Sequence, residues 1–216
     1  MHSEANAALV NDGAKRGRTR ARYSIVAIGG SAGGLESVRT ILQDLPAEFA
    51  SPILVVIHLH PKYISHAAEI LCRETRLKVK DAQAGDPIQS GMVYLAPPDH
   101  HLLVSEGLVE LTTTPAVNFS RPAIDATFDS VVKAYGAKAV GVIVSGSGKD
   151  GAEGLRALKQ AGGFAIVEDP LTARFPAMPA AAVSASAVDC VVPLKQIAPL
   201  LLKLSGAPRN GWVNEQ

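Results

Sequence analysis

The sequence predicts an α/β fold of three layers, α/β/α, doubly wound around a mainly parallel sheet with an antiparallel hairpin extension at one edge. Three observations carry this expectation. Short uninterrupted apolar runs recur at Ile53 to Ile57, Val140 to Val144 and Phe164 to Val167, and strands without polar alternation are those buried on both faces. Amphipathic stretches of helical period separate them. Glycine-rich polar loops join one to the next, where a strand gives way to a helix.

Taken in order, Tyr23 to Ile28 is the first predicted strand, and Gly29-Gly30-Ser31-Ala32-Gly33-Gly34 is the turn that follows. From Leu35 onward the chain is helical, because Val38, Ile41, Leu42 and Leu45 fall at i, i+3, i+4 and i+7. Pro46 ends that helix. The second strand, Ile53 to Ile57, runs into His58-Leu59-His60-Pro61 and a helix around Ala67 to Arg73. In the middle of the chain, Val93 to Leu95, Leu102 to Val104 and Leu108 to Leu111, with the turn Ser105-Glu106-Gly107, read as antiparallel strands forming the hairpin. Val140 to Val144 leads into Ser145-Gly146-Ser147-Gly148-Lys149-Asp150-Gly151, then a helix through Leu155, Leu158 and Lys159, then the strand Phe164 to Val167.

Composition bounds the function. The 216 residues hold 21 Lys and Arg against 20 Asp and Glu, with two cysteines. A chain of this length buries a core without disulfides or a structural metal, and Cys72 and Cys190 alone make no disulfide framework. The longest apolar runs are strand-sized, well short of the ~18 residues that cross a bilayer, and Met1-His2-Ser3-Glu4 opens no secretory signal. The expectation is a cytoplasmic protein with no membrane insertion. Residues 23–204 are expected to form one domain between a basic N-terminal tail, 1–22, and a polar C-terminal tail, 205–216. Lys15, Arg16, Arg18, Arg20 and Arg22 in the first tail lack interleaved aromatics, so no nucleic-acid partner is expected.

In an open parallel sheet, sites lie at the carboxyl ends of the strands. Three polar loops fall there: Gly29 to Gly34, His58 to Lys62, and Ser145 to Gly151. Gly29-Gly30-Ser31-Ala32-Gly33 fits G-x-S-x-G between strand and helix, which lifts a serine hydroxyl onto a sharp turn. A glycine-rich loop after a first strand also suits nucleotide binding, but Ser31 stands where the dinucleotide fingerprint needs glycine and Leu35 where a P-loop needs lysine. A serine needs a base and an orienting group. His58 and Asp150 supply the residue types, in the chain order Ser, His, Asp. Two other readings stand beside this one. Asp150 would serve as a helix N-cap ahead of Glu153, and His58 and His60, completed by His100, His101 or Asp150, would form the shell of a metal-dependent hydrolase. The serine reading requires neither metal nor cofactor.

At these residues the sequence resembles the chemotaxis protein-glutamate methylesterases, in their CheB-type catalytic domain, over about residues 23–204. The blocks that carry the likeness are Ala27 to Gly34, Val55 to His58, Gly91 to His101, Ser120-Arg121-Pro122-Ala123-Ile124-Asp125, Gly141 to Gly151, and Ala177-Met178-Pro179. The resemblance implies hydrolysis of glutamyl methyl esters on chemoreceptors, with deamidation of receptor glutamines as a related activity, in chemotaxis adaptation or related chemosensory signalling. It implies Ser31 as nucleophile, His58 as base and Asp150 as orienting carboxylate. Pro61 and Glu69-Ile70-Leu71 set the alignment that favours His58 over His60. The backbone amides of Ala32 and Ser147 are expected to hold the oxyanion, and Arg121, with Lys149 and Arg174, to face an acidic receptor surface. Ala32 stands where the family commonly has threonine, and Ser147 where it commonly has methionine. The 22 residues ahead of the first strand are too few for a receiver domain, so phosphorylation control within this chain is not expected. These departures motivate the alternative, a weak or inactive scaffold of a chemosensory system.

Overall fold

Seven strands run parallel in one sheet because their apolar side chains alternate between two faces, and each face is covered by helices. The computed structural model describes residues 23–58, 65–185 and 188–205. In chain order the strands are β1 (Ile25–Gly30), β2 (Ile53–Ile57), β3 (Lys78–Asp81), β4 (Met92–Leu95), β5 (His101–Ser105), β6 (Leu108–Thr112), β7 (Ala139–Ile143), β8 (Phe164–Glu168) and β9 (Cys190–Val192). The helices are α1 (Gly34–Gln43), α2 (Ala67–Glu74), α3 (Ile124–Tyr135), α4 (Ala152–Gln160), α5 (Ala177–Ala185) and α6 (Leu194–Leu204). The sheet order is β3-β4-β2-β1-β7-β8-β9, with every pair parallel.

On one face Val26, Ile28, Val55 and Val142 meet Val38, Ile41 and Leu42 of α1, Leu71 of α2, and Ile197 and Leu201 of α6. The other face places Ile25, Ala27, Leu54 and Val56 against Ile124 and Phe128 of α3, Leu155 and Leu158 of α4, and Met178 and Ala182 of α5. Burying a side chain of this size contributes roughly 1.5–3 kcal/mol, so both layers are needed.

Two sequence expectations change in detail. Val93 to Leu95, read as part of the antiparallel hairpin, is β4, a parallel member of the main sheet between β3 and β2. The hairpin itself is β5 and β6, paired antiparallel from His101 with Thr112 to Ser105 with Leu108. It forms a sheet of its own, with Leu102, Val104 and Val109 buried in the α3 layer. In β6 the buried Val109 is flanked by exposed Leu108 and Glu110, so one face of the hairpin is covered, whereas β4 is buried on both faces within the main sheet.

The chain reverses direction across the sheet at β1, which has β2 on one side and β7 on the other. Helix α3 packs its first turn directly onto this central strand. Its Ile124 lies so close to Gly29 that a Cβ there would fall 2.3 Å from the isoleucine Cγ2. Gly151, at φ +90°, leaves the same side chain room: a Cβ would lie 2.5 Å from Ile143 Cδ1 and 2.6 Å from Ile124 Cγ2. Gly151→Ala therefore combines a left-handed backbone with overpacking, and is expected to destabilise the fold by about 2–4 kcal/mol in chemical denaturation.

Candidate active site

Three loops meet where the carboxyl ends of β2, β1 and β7 flank the reversal point, the place an open parallel sheet offers to ligands. Ser31 follows β1 and His58 follows β2. Their strands are in register up to Gly30 and Ile57, so the two residues come next on neighbouring strands, roughly one strand spacing apart. The His58 amide donates to the Gly30 carbonyl at 3.3 Å, which ties the two loops together. Asp150 lies on the loop after β7, the strand on the other side of β1.

The structure joins His58 to Asp150: Nε2 lies 2.8 Å from Oδ2. Asp150 is buried, at 3% exposure, and accepts three further donors. These are Asn118 Nδ2 at 2.9 Å on Oδ1, the Ile124 amide at 2.7 Å on Oδ2 and the Asp125 amide at 3.2 Å on Oδ1. The last two are orphan amides in the first turn of α3, whose own N-cap, Ala123, provides no side-chain bond. Asp150 thus caps α3 rather than the helix that follows it. Burial pushes the carboxyl up, but the bonds from His58, Asn118 and the two amides outweigh it and hold Asp150 below the usual carboxylate range.

Asp125 returns the favour. Its Oδ1 accepts the Gly154 amide in the first turn of α4 at 2.7 Å, and its Oδ2 accepts Asn118 Nδ2, also at 2.7 Å. Burial, with the Asp150 charge beside it, raises the Asp125 carboxyl above its ordinary value. One amide group therefore bridges two buried acids whose surroundings push their proton affinities apart, leaving Asp150 as the ionised partner of the imidazole.

Ser31 is held by its backbone. Its amide donates to the Ser145 carbonyl at 3.0 Å and its carbonyl accepts the Gly34 amide at 2.8 Å. Gly33, at φ +72°, lets α1 begin at once behind it. Ser145 knits the loops: its amide donates to Glu168 Oε2 at 2.7 Å, its hydroxyl donates to the Ala32 carbonyl at 3.2 Å, and it accepts the Phe175 amide at 2.9 Å. Glu168 is buried at the end of β8, and that burial raises its carboxyl above the ordinary value. By contrast, the Ser31 hydroxyl has no hydrogen-bond partner among the described residues. The amides of Ala32 and Ser147 are likewise uncommitted among the described residues.

His58 Nδ1, the ring nitrogen turned away from Asp150, faces Ser120 Oγ at 3.5 Å. A cavity of about 330 Å³ opens beside it, lined by His58, Asp99, Phe119, Ser120, Arg121 and Pro122, with Ala116. Arg121 is a member of this wall with its guanidinium fully engaged. Nε and Nη2 donate to Asp99 Oδ1 at 2.9 and 2.7 Å, and Nη1 donates to the carbonyls of Thr113 and Thr114. Lys149 and Arg174 are exposed. His100 and His101 turn to backbone groups, Pro98 and Pro115 carbonyls and the Ala123 amide, and His60 lies outside the described residues, as do the tails at 1–22 and 206–216. Among the described residues no three His, Cys, Asp or Glu side chains converge as a metal shell, and no helix is long and apolar enough to cross a membrane.

Sequence reasoning missed Asn118, the role of Asp125, and the Ser145–Glu168 pair. Glu168, an acid closing an otherwise apolar strand, was the one legible signal among them.

The CheB methylesterase family profile matches residues 26–201. The chain belongs to that family. A protein of Leptospira interrogans provisionally given the activities protein-glutamate methylesterase and protein-glutamine glutaminase is 42% identical over 183 residues, covering 84% of this chain and 95% of that protein. The protein-glutamate methylesterase/protein-glutamine glutaminase 2 of Anaeromyxobacter dehalogenans is 40% identical over 86% of this chain, which spans about half, 54%, of that relative. Among solved structures, the CheB methylesterase catalytic domain of Thermotoga maritima superposes with a TM-score of 0.80 at 36% identity, over 84% of this chain and 98% of that one. The mainly parallel sheet and the small antiparallel sheet are therefore the CheB catalytic-domain fold.

Proposed function

We propose that this chain is a serine esterase that removes methyl groups from glutamate methyl esters on cytoplasmic helical segments of methyl-accepting chemoreceptors, and takes glutamine amides by the same route. One observation carries the reading: a 2.8 Å His58–Asp150 pair stands at the strand ends beside a serine whose hydroxyl is uncommitted among the described residues. Family membership and the names of the relatives support the substrate class.

In this mechanism the ionised Asp150 accepts the Nε2 proton of His58, which leaves the Nδ1 lone pair as the base. Ser31 Oγ attacks the side-chain carbonyl carbon of the esterified glutamate while its proton passes to Nδ1. The carbonyl oxygen gains the electron pair and is held by the free amides of Ala32 and Ser147, each such donor contributing about 10²- to 10³-fold in rate. Both are backbone groups, so the Ala32 and Ser147 side-chain departures leave the donors in place. The C–O bond to the methoxy group then breaks, His58 returns the proton, and methanol leaves. Water repeats the sequence on the acyl-enzyme, regenerating Ser31 and a free glutamate. With a glutamine side chain the leaving group is ammonia. Arg121 acts here by fixing the cavity wall through Asp99 and the 113–114 carbonyls rather than by a free charge, while Lys149 and Arg174 face the acidic substrate surface.

The test is methanol release from receptor membranes methylated with labelled methyl groups, followed by mapping of the peptide modified by a serine-reactive fluorophosphonate. Release above the enzyme-free rate, with the adduct on Ser31, is expected. No release by the wild-type protein would overturn the esterase reading and leave a binding role.

A further inference from the structure

The turn that carries Asn118 and Ser120 into the site also carries a side chain that the fold does not use. Val117 and Ser120 pair across it in both directions: the Val117 amide donates to the Ser120 carbonyl at 3.1 Å, and the Ser120 amide to the Val117 carbonyl at 2.9 Å. The two residues between them, Asn118 and Phe119, have φ of +50° and +62°, the geometry of the tight hairpin turn that normally takes asparagine followed by glycine. Asn118 suits its position. Phe119 does not, because a bulky aromatic in the left-handed region meets its own backbone.

Phe119 is also fully exposed, at 104% relative accessibility, the most exposed of the large apolar residues described. Two costs, backbone strain and a hydrated aromatic ring, therefore coincide at one residue with no packing in return. Strain that persists without a structural use is found where function requires it. Its surroundings say what that function is. Phe119 lines the same cavity as His58 and Ser120. A second cavity, about 370 Å³, shares the turn through Asn118 and is lined by Lys149, Asp125 and Glu153 together with Ala152 and Ala181. The turn thus stands between the cavity beside His58 and a groove that carries one cation and two acids.

We propose that Phe119 is a docking residue: its ring packs against an apolar side chain of the substrate protein flanking the modified glutamate, and so selects which glutamyl side chain enters the cavity beside His58. The inference rests on the esterase reading above. The partner is a protein segment with an apolar residue next to the esterified position, rather than a free small ester.

The experiment compares methanol release from methylated receptor membranes by the wild type, Phe119→Gly, Phe119→Ala and Phe119→Trp proteins. Glycine relieves the left-handed backbone, so Phe119→Gly is expected to raise the melting temperature and yet to raise KM for the receptor about tenfold, with a much smaller change in kcat. Phe119→Trp, which restores a large ring, is expected to bring KM back towards the wild-type value. Receptor KM unmoved in Phe119→Gly and Phe119→Ala would overturn the proposal. So would a loss confined to kcat, which would make the turn's grip on Asp150 and His58 the whole effect. A shift from dimer to monomer in sedimentation, with KM unchanged, would assign Phe119 to self-association instead. A wild-type protein that releases no methanol defeats the esterase reading itself, which is a different failure.

Discussion

Ser31→Ala is expected to lower kcat for methyl-ester hydrolysis by about 10⁶-fold while leaving the melting temperature within error of wild type. In the proposed mechanism the activity loss follows from removing the atom that would form the acyl bond; what would survive is the roughly 10³-fold advantage of the oxyanion amides and of substrate binding. The unchanged stability follows from the hydroxyl having no hydrogen-bond partner among the described residues, so its deletion breaks nothing in the fold. Single-turnover methanol release and a thermal melt on the same preparation check both halves. Residual activity near the wild-type level would place the nucleophile elsewhere.

Asp150→Asn is expected to cost about 10⁴-fold in kcat and to destabilise the protein as well. The introduced amide has one acceptor oxygen where the carboxylate has two, and the site presents four donors to it: His58, Asn118 and the Ile124 and Asp125 amides. Its NH₂ group must face at least one of them. Facing His58, it forces the ring proton from Nε2 to Nδ1, and the lone pair then points away from Ser31. The pH dependence has a definite sign. The Asp150 carboxyl lies below its ordinary value in the fold, so its contribution to stability is fully present above the unfolded value near ~3.9 and is lost as pH falls through the lower folded value. The stability gap between wild type and Asp150→Asn is therefore expected to narrow as pH drops below about 4. Asp125 runs the other way, because a raised carboxyl makes its ionisation oppose folding as pH climbs. Melting temperatures of both proteins from pH 3 to 7 read this directly.

Much of this arrangement was legible in the residues. Uninterrupted apolar runs marked β1, β2, β7 and β8, and the loops behind β1, β2 and β7 placed Ser31, His58 and Asp150 on one edge. Less visible was anything fixed by contacts distant in sequence. Helix periodicity says that an acid just ahead of α4 caps α4, but Gly151 with φ +90° starts that helix and turns the Asp150 carboxylate towards α3 instead. Asn118 sits in an exposed stretch, Thr113 to Phe119, with no period to betray a buried task. Arg121 reads as a loose cation until Asp99, 22 positions earlier, is seen beside it. The parallel sense of β4 was hidden because its apolar run is only four residues long and lies next in sequence to the hairpin strands.

The reciprocal capping of α3 and α4 by Asp150 and Asp125 separates two kinds of selection. A descendant that had given up turnover would still need both acids and Asn118 to hold its helices together, so their survival would say only that the molecule folds. Ser31 enjoys no such protection, since no hydrogen bond among the described residues depends on its oxygen. Drift would erase it first, and a serine at that one position is what an idle copy of this fold would have least reason to keep.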